Sequence, residues 1–274
     1  MSREAADPGP EPVLKRRAGG PGELVHAEEV MGTVVSFRVV RGPVPVPAAQ
    51  AAVADACRAL HEVDRVFSTW HPGSPLSRFR RGESTWEELP DEVAAIAEEC
   101  AAAKTSTDGW FDAGALPGGF DPTGLVKGWA VERAVDMVAA SGAPGGIVNA
   151  GGDLAVWGEP APGERWNVAM RHPAHPDAAA GIVRVTAAIA TSGEYERGAH
   201  LWDPFAARHA CRVASATVTG PRLVTADALA TALAVAGSPG LAFVARTESY
   251  EGFVVEPDGT GRATPGFVAQ MVDP

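Results

Sequence analysis

The stretch "ATSGEYERGAHLWDP", residues 190–204, carries Ser192, His200 and Asp203 within one short segment. Those side chains could form a Ser–His–Asp hydrolase triad. A triad nucleophile usually sits in a tight elbow such as GxSxG, and "ATSGEY" is not that motif. Asp203-Pro204 instead reads as a turn-initiating Asp after a short strand. His200 keeps its value as a general base, because the ordinary imidazole pKa lies near working pH.

Three other segments have chemical potential. In "TADALATAL", Asp227 and Thr231 are four residues apart and share one face of a helix. A carboxylate and a hydroxyl are hard oxygen donors that suit Mg²⁺. The alternative is an exposed first-turn Asp favourable to the helix dipole and a Thr bonded to its own helix. "GWFDAGALPGGFDPTGLVKGWA", residues 109–130, is a glycine-crowded loop entering a helix with Lys127 in its first turns. Exposed amides and one cation suit a phosphate, although a flexible loop before a capped helix has the same look. The spacing matches neither the P-loop nor GxGxxG. In "NAGGD", Gly151-Gly152-Asp153 allows a close backbone approach or simply a tight turn.

The surrounding pattern shows what must hold these residues. "TVVSFRVV" (residues 33–40) predicts a strand, with ordered structure expected from Val25. Val53, Cys57, Leu60, Val63 and Phe67 recur at helical spacing over residues 48–67. "LPDEVAAIAEECAAAK" predicts a helix with Pro90 in its first turn, burying Val93, Ile96 and Cys100. A third helix starts near Thr123, turns Val126, Ala130, Ala134, Met137 and Val138 inward, and stops at Gly142. Short strands "GIVNAG", "DLAVWG", "WNVAM", "GIVRVTA" and "SATVTG" follow. Then comes a helix with Thr225 as N-cap and Gly237 at its end, and a short one opened by Ser238-Pro239. Two strands around Asp258-Gly259 close the chain. Strands and helices mix without a βαβ beat, so the class is α+β.

Composition limits the partners. The 274 residues are 46% hydrophobic and 21% charged, as in a globular protein, with a formal net charge of −11 and a pI near 5.1. Such acidity argues against nucleic acid or anionic membrane as partner. No run is long enough to span a bilayer, so no membrane insertion is expected. Cys57, Cys100 and Cys211 stand far apart without metal-type spacing, and Cys57 and Cys100, within helical apolar patterns, read as buried thiols. Residues 1–24, with "DPGPEP" and "KRRAGGPG", lack a signal-peptide apolar centre and read as a disordered arm before one domain spanning residues 25–274. A cytoplasmic location is the expectation.

Taken in order, "MGTVVSF", "FSTWHPGSPLSRF", "GWFD", "DPTGLVKGWAVERA", "NAGGD", "ATSGEYERGAHLWDP" and "VTADALATAL" resemble the ApbE family of FAD:protein FMN transferases. They extend from Met31 to Leu233. The resemblance implies a tandem of T-fold-like α+β halves and a Mg²⁺-dependent reaction. In that reaction FMN passes from FAD to a Thr or Ser hydroxyl of an acceptor protein through a phosphoester, with AMP released. It also implies that Met31, Trp70, Phe111, Asp112, Ala113, Asp121, Lys127 and Leu201 contact FAD. The Gly124 carbonyl and the side chains of Asp227 and Thr231 are implied metal ligands, and His200 is the implied base. One departure is a short "AGALPGGF" where the family carries a long insert. Two other readings keep the same residues: an FAD pyrophosphatase yielding FMN and AMP, and a non-catalytic flavin-binding protein.

Overall fold

The computed structural model describes residues 22–175, 177–193 and 201–272. In chain order the strands and α-helices are β1 (Glu23–Val30), β2 (Thr33–Val40), α1 (Val46–Phe67), α2 (Pro75–Arg80), α3 (Asp91–Ser106), α4 (Thr123–Ala139), β3 (Gly145–Ala150) and β4 (Asp153–Gly158). They continue as β5 (Trp166–Arg171), β6 (Ala179–Val185), β7 (Ala188–Ser192), β8 (Trp202–Asp203), β9 (Arg208–His209) and β10 (Ser215–Gly220). The remainder are α5 (Leu223–Ala236), α6 (Leu241–Arg246), β11 (Glu251–Val255), β12 (Gly261–Ala263), α7 (Pro265–Gln270) and β13 (Met271–Val272).

Eight strands form one antiparallel sheet in the order β1-β2-β3-β4-β7-β10-β11-β12. Its left part is β1 and β2, then α1–α4, then β3 and β4. Its right part repeats that plan as β7 and β10, then α5 and α6, then β11 and β12. This is the α+β tandem of T-fold-like halves. The halves join where β4 pairs β7, Leu154 opposite Ile189 and Ala155 opposite Ala188. Strand alternation divides the core. Val35, Phe37, Val148, Ala190 and Val218 face the helices, whereas Leu154, Val156 and Ile189 pack with Trp166, Val183 and Phe267 on the other face. A small sheet, β13-β6-β5, covers that second face.

The expected helices are present because their apolar residues recur on one face; Val53, Cys57, Leu60, Val63 and Phe67 are all buried in α1. Several boundaries differ. Order is seen earlier than Val25, because β1 pairs with β2 over its whole length from Glu23; the rest of the predicted arm, residues 1–21, lies outside the described residues. Residues 190–192, the start of the polar stretch, are the end of the central strand β7. Thr225 is not the N-cap of α5: Leu223 and Val224 are buried and extend the helix back to Arg222. Arg222 is held there by Glu99 at 2.8 Å and Glu132 at 3.4 Å. Burial holds the Glu132 carboxyl above its ordinary range, partly opposed by Arg222 and backbone amides. The final segment includes a helix, α7, besides the expected hairpin.

Candidate active site

The antiparallel order brings three loop ends to one edge of the sheet. Val30 pairs with Thr33 across the two-residue turn Met31-Gly32, and Ala150 pairs with Asp153 across Gly151-Gly152. Val35 opposite Ala150 places both turns at the same end. β7 runs antiparallel to β4, so it ends at Ser192 on that side too. Met31 and Gly32 both have positive φ, 55° and 67°, the pattern of a type I′ turn. A non-glycine residue in that region costs roughly 1–2 kcal/mol. Met31 is therefore held in a strained position at the edge where the other implied site residues gather.

Helices α4 and α5 cross beneath that edge. A Cβ on Gly128 would lie 2.7 Å from the Leu223 carbonyl oxygen and 3.0 Å from Asp227 Cβ, so only glycine permits this approach. α5 is apolar nearly all round: twelve of its fourteen residues are buried, and Asp227 is one of them. Asp227 is thus neither exposed nor in the first turn. A carboxylate in such a place needs partners. Its Oδ2 accepts the Gly128 amide at 3.0 Å. In a regular helix that amide points at the carbonyl of Gly124. The Gly124 carbonyl meanwhile accepts the Thr231 hydroxyl at 3.3 Å. Ser192 Oγ lies 3.5 Å from the same Thr231 oxygen.

The three residues expected to hold a metal therefore sit at one crossing. Gly124 and Gly128 are one helical turn apart on α4, and Asp227 and Thr231 are one turn apart on α5. Carboxylate, hydroxyl and peptide carbonyl form an all-oxygen donor set, the chemistry that Mg²⁺ prefers. The Phe111 ring, buried, stands 3.0 Å from where a Gly124 Cβ would be. It closes the crossing on one side.

The remaining expected residues take several positions. Trp70 is 94% exposed, so its ring is not part of the core. Its loop is tied by Ser74 and Ser77 hydroxyls donating to the Ser68 carbonyl. Ala113 is buried, and its carbonyl accepts the Asp121 amide at 2.8 Å. Asp112 pairs with Lys104 at 2.7 Å and accepts the Gly114 amide. Asp121, buried, accepts the amide and hydroxyl of Thr123 and so holds the start of α4. Arg80 reaches Asp121 at 3.1 Å and donates to the carbonyls of Pro117, Gly119 and Phe120, fixing the short loop before α4. Lys127 forms an ion pair with buried Asp153, whose other oxygen accepts the Thr191 amide at 2.8 Å. Leu201 is buried; its carbonyl accepts the Ala210 amide. Asp203 initiates a turn, accepting the Phe205 and Ala206 amides at 2.9 Å. His200 lies outside the described residues.

Three contributors escaped the sequence reading: Gly128, Arg80, and Asp153 as the partner of Lys127. The first had a signal. Small residues at 124 and 128 form an i, i+4 stripe that matches the i, i+4 stripe of Asp227 and Thr231 on the facing helix.

Two ββ–helix–ββ repeats sharing one sheet, with an oxygen-donor crossing between their helices, define a two-repeat α+β protein with a candidate hard-metal site. The ApbE family profile matches residues 31–118 and 117–254, and the chain belongs to the ApbE family. A FAD:protein FMN transferase of Vibrio cholerae serotype O1 is 25% identical over 277 residues, covering 79% of this chain and 83% of that protein. A FAD:protein FMN transferase of Rhodobacter capsulatus is 33% identical over 156 residues, covering 53% of this chain and 29% of that protein. Among solved structures, the ApbE protein of Thermotoga maritima has a TM-score of 0.80 at 21% identity, covering 92% of this chain and 100% of that one. The flavin transferase ApbE of Vibrio cholerae has a TM-score of 0.76 at 23% identity, covering 90% and 99%. At that identity the structural likeness establishes the fold.

Proposed function

We propose that this protein is a flavin transferase that moves FMN from FAD to a Thr or Ser hydroxyl of an acceptor protein, releasing AMP, with Mg²⁺ as cofactor. Family membership and two relatives named FAD:protein FMN transferase support flavin transfer. The observation that carries the finer reading is the buried Asp227 carboxylate on the Gly128 amide, one turn from Thr231, whose hydroxyl donates to the Gly124 carbonyl across the helix crossing. An apolar helix retains a buried carboxylate at a cost, and a bound cation offsets it.

Bound at this crossing, Mg²⁺ would lower the negative charge on the diphosphate that otherwise repels a nucleophile. Asp227, Thr231 and the Gly124 carbonyl would hold it. Met31 and Trp70 contact the flavin nucleotide, joined by Phe111, Asp112, Ala113, Asp121, Lys127 and Leu201. Lys127 and Asp153 brace the site where the β3–β4 turn meets α4. His200 accepts the proton of the acceptor hydroxyl as that oxygen bonds to the FMN phosphorus. The bond from that phosphorus to the bridging oxygen breaks, and AMP departs. No helix among the described residues is long and apolar enough to cross a membrane, and FAD and an acceptor protein are the partners of this reading. A cytoplasmic site of action and the absence of nucleic-acid partners belong to the same proposal.

The test is incubation with FAD, Mg²⁺ and candidate acceptors, followed by intact mass of each acceptor and chromatography of the nucleotides. An acceptor heavier by FMN less one water, with equimolar AMP, is the expected result. EDTA should abolish it, excess Mg²⁺ restore it, and Asp227→Asn remove it without unfolding the protein. Free FMN with AMP and unmodified acceptors would instead establish a pyrophosphatase.

A further inference from the structure

Strand β1 presents Leu24, His26, Glu28 and Val30 to its more buried side. A strand packed on a helix normally fills that side with apolar residues, so His26 and Glu28 interrupt the pattern. Helix α1 answers with Cys57 and His61, one turn apart. Glu28 is gripped between the two imidazoles, 3.1 Å from His26 Nε2 and 2.7 Å from His61 Nε2. One donor atom each from His26, Glu28 and Cys57 lies within 4.8 Å of the others. The thiol is buried, and both histidines are partly open to solvent.

We propose that His26, Glu28 and Cys57, joined by His61, form a second metal site, of the zinc class and separate from the crossing of α4 and α5. The donor set is the reason. Sulfur, imidazole nitrogen and one carboxylate suit a borderline-soft ion such as Zn²⁺ and poorly suit Mg²⁺. Bond lengths of about 2.0–2.3 Å in a tetrahedron put neighbouring donors roughly 3.3–3.8 Å apart, within a small side-chain adjustment of the spacing of His26, Glu28 and Cys57, and His61, held at 2.7 Å from Glu28, would turn to complete the set. Two donors come from a strand at i, i+2 and two from a helix at i, i+4, so both backbones fix the geometry.

Hydrogen bonds from His61 and His26 hold the Glu28 carboxyl below its usual range, and a bound cation would take the place of those hydrogen bonds. Burial, with a smaller contribution from the Glu28 charge, pushes the Cys57 thiol up to about 11. A cation placed between them neutralises Glu28 and takes the thiolate, and binding releases the Cys57 proton. The ion would staple β1 to α1. The first of these leads into Met31, three residues beyond Glu28, and the second ends just before the Trp70 loop. This inference does not depend on the reaction proposed above.

The test uses the full chain, stripped of metal with a chelator and titrated with Co²⁺ under excess Mg²⁺. One equivalent should produce a thiolate-to-cobalt charge-transfer band and d–d bands of tetrahedral intensity, and one equivalent of Zn²⁺ should abolish both. Cys57→Ser should lose the charge-transfer band, and Asp227→Asn should keep it. Glu28→Gln and His61→Asn alter partly exposed side chains and should weaken Zn²⁺ binding by more than about tenfold, the lower scale for losing even an outer partner of a metal ligand. No band in the wild type, a band surviving in Cys57→Ser, or a band lost in Asp227→Asn overturns the proposal. If Cys57→Ser does not fold, unchanged Zn²⁺ affinity in both of the other variants overturns it.

Discussion

Replacing Gly128 by alanine tests whether the close helix crossing holds the proposed Mg²⁺ site. In an unconstrained helix interior this change stabilises by about 1 kcal/mol, because alanine loses less backbone entropy. Here the new Cβ would meet the Leu223 carbonyl oxygen at 2.7 Å and Asp227 Cβ at 3.0 Å. The carbonyl is backbone and cannot rotate away, so α4 and α5 must part by a few tenths of an ångström. Overpacking of this kind costs about 1–3 kcal/mol. The two effects leave a net loss of up to about 2 kcal/mol, a fall of a few degrees in Tm, on the order of 2–4 °C per kcal/mol for a large domain. The same displacement separates the Gly124 carbonyl from Thr231, now 3.3 Å apart, and draws the Gly128 amide from Asp227. Cation affinity should fall by about tenfold or more, the scale seen when groups that orient metal ligands are disturbed. Thermal unfolding with and without Mg²⁺ and titration with Mn²⁺ followed by electron paramagnetic resonance read the two effects separately. A variant that melts higher than wild type and binds Mn²⁺ equally well would refute the reasoning.

Trp70→Ala should leave Tm unchanged, since the side chain is 94% exposed, yet weaken FAD affinity about tenfold or more, by analogy with base–aromatic stacking; quenching of tryptophan fluorescence by FAD checks it, and an unchanged Kd would free Trp70 from the flavin site. His200→Ala should still bind FAD and Mg²⁺ but lose about 10²–10⁴ in transfer rate. Ser192→Ala, measured alongside, should cost far less and act through cation affinity, because the Ser192 hydroxyl faces Thr231; equal damage from both variants together with activity in EDTA would favour a Ser–His–Asp hydrolase. Glu132→Gln should gain stability relative to wild type as pH rises through the interval between the ordinary glutamate pKa and the raised folded one. Below that interval the buried carboxyl is neutral in both states, and above it the wild type bears the cost of an ionised buried group. Urea midpoints of both proteins at acid and neutral pH measure that difference, and a constant difference would contradict the assignment.

Residues with strong periodicity were legible before any coordinates. Val53, Cys57, Leu60 and Val63 mark α1, and Val126, Ala130 and Ala134 mark α4, since one buried face dictates their spacing. The ordered motifs also led to Gly124, Asp227 and Thr231, which the structure brings together. What was not legible depends on crossings and registers that a local pattern does not carry. Asp227 looked like an exposed first-turn residue, because nothing nearby in sequence reveals that α4 covers it. β7 was hidden inside a stretch rich in reactive side chains, and its strand character comes from pairing with β4 and β10. Cys57 looked like an inert buried thiol, since His26 and Glu28 stand on a strand some thirty residues earlier.

The placement of the proposed chemistry follows from the repeat itself. Each half supplies strands and helices of the same plan, but neither contains a complete site. Gly124, Gly128 and Lys127 belong to the last helix of the first half; Asp227, Thr231 and Ser192 belong to the second. The sheet joins the halves through only two residue pairs between β4 and β7. Side chains add to that seam: Asp153 of the first half takes the Thr191 amide of the second, and Asp227 of the second takes the Gly128 amide of the first. Both are buried carboxylates accepting backbone amides across the seam, and each is also placed to meet a cation, Lys127 for Asp153 and the proposed metal for Asp227. Removing the charge at either position should therefore loosen the join and the site together. Thermal unfolding of Asp153→Asn with and without Mg²⁺ checks this: the expected result is a lower Tm and a smaller Mg²⁺-induced rise than in wild type, and a lower Tm with an undiminished Mg²⁺ response would show that the seam and the site are independent.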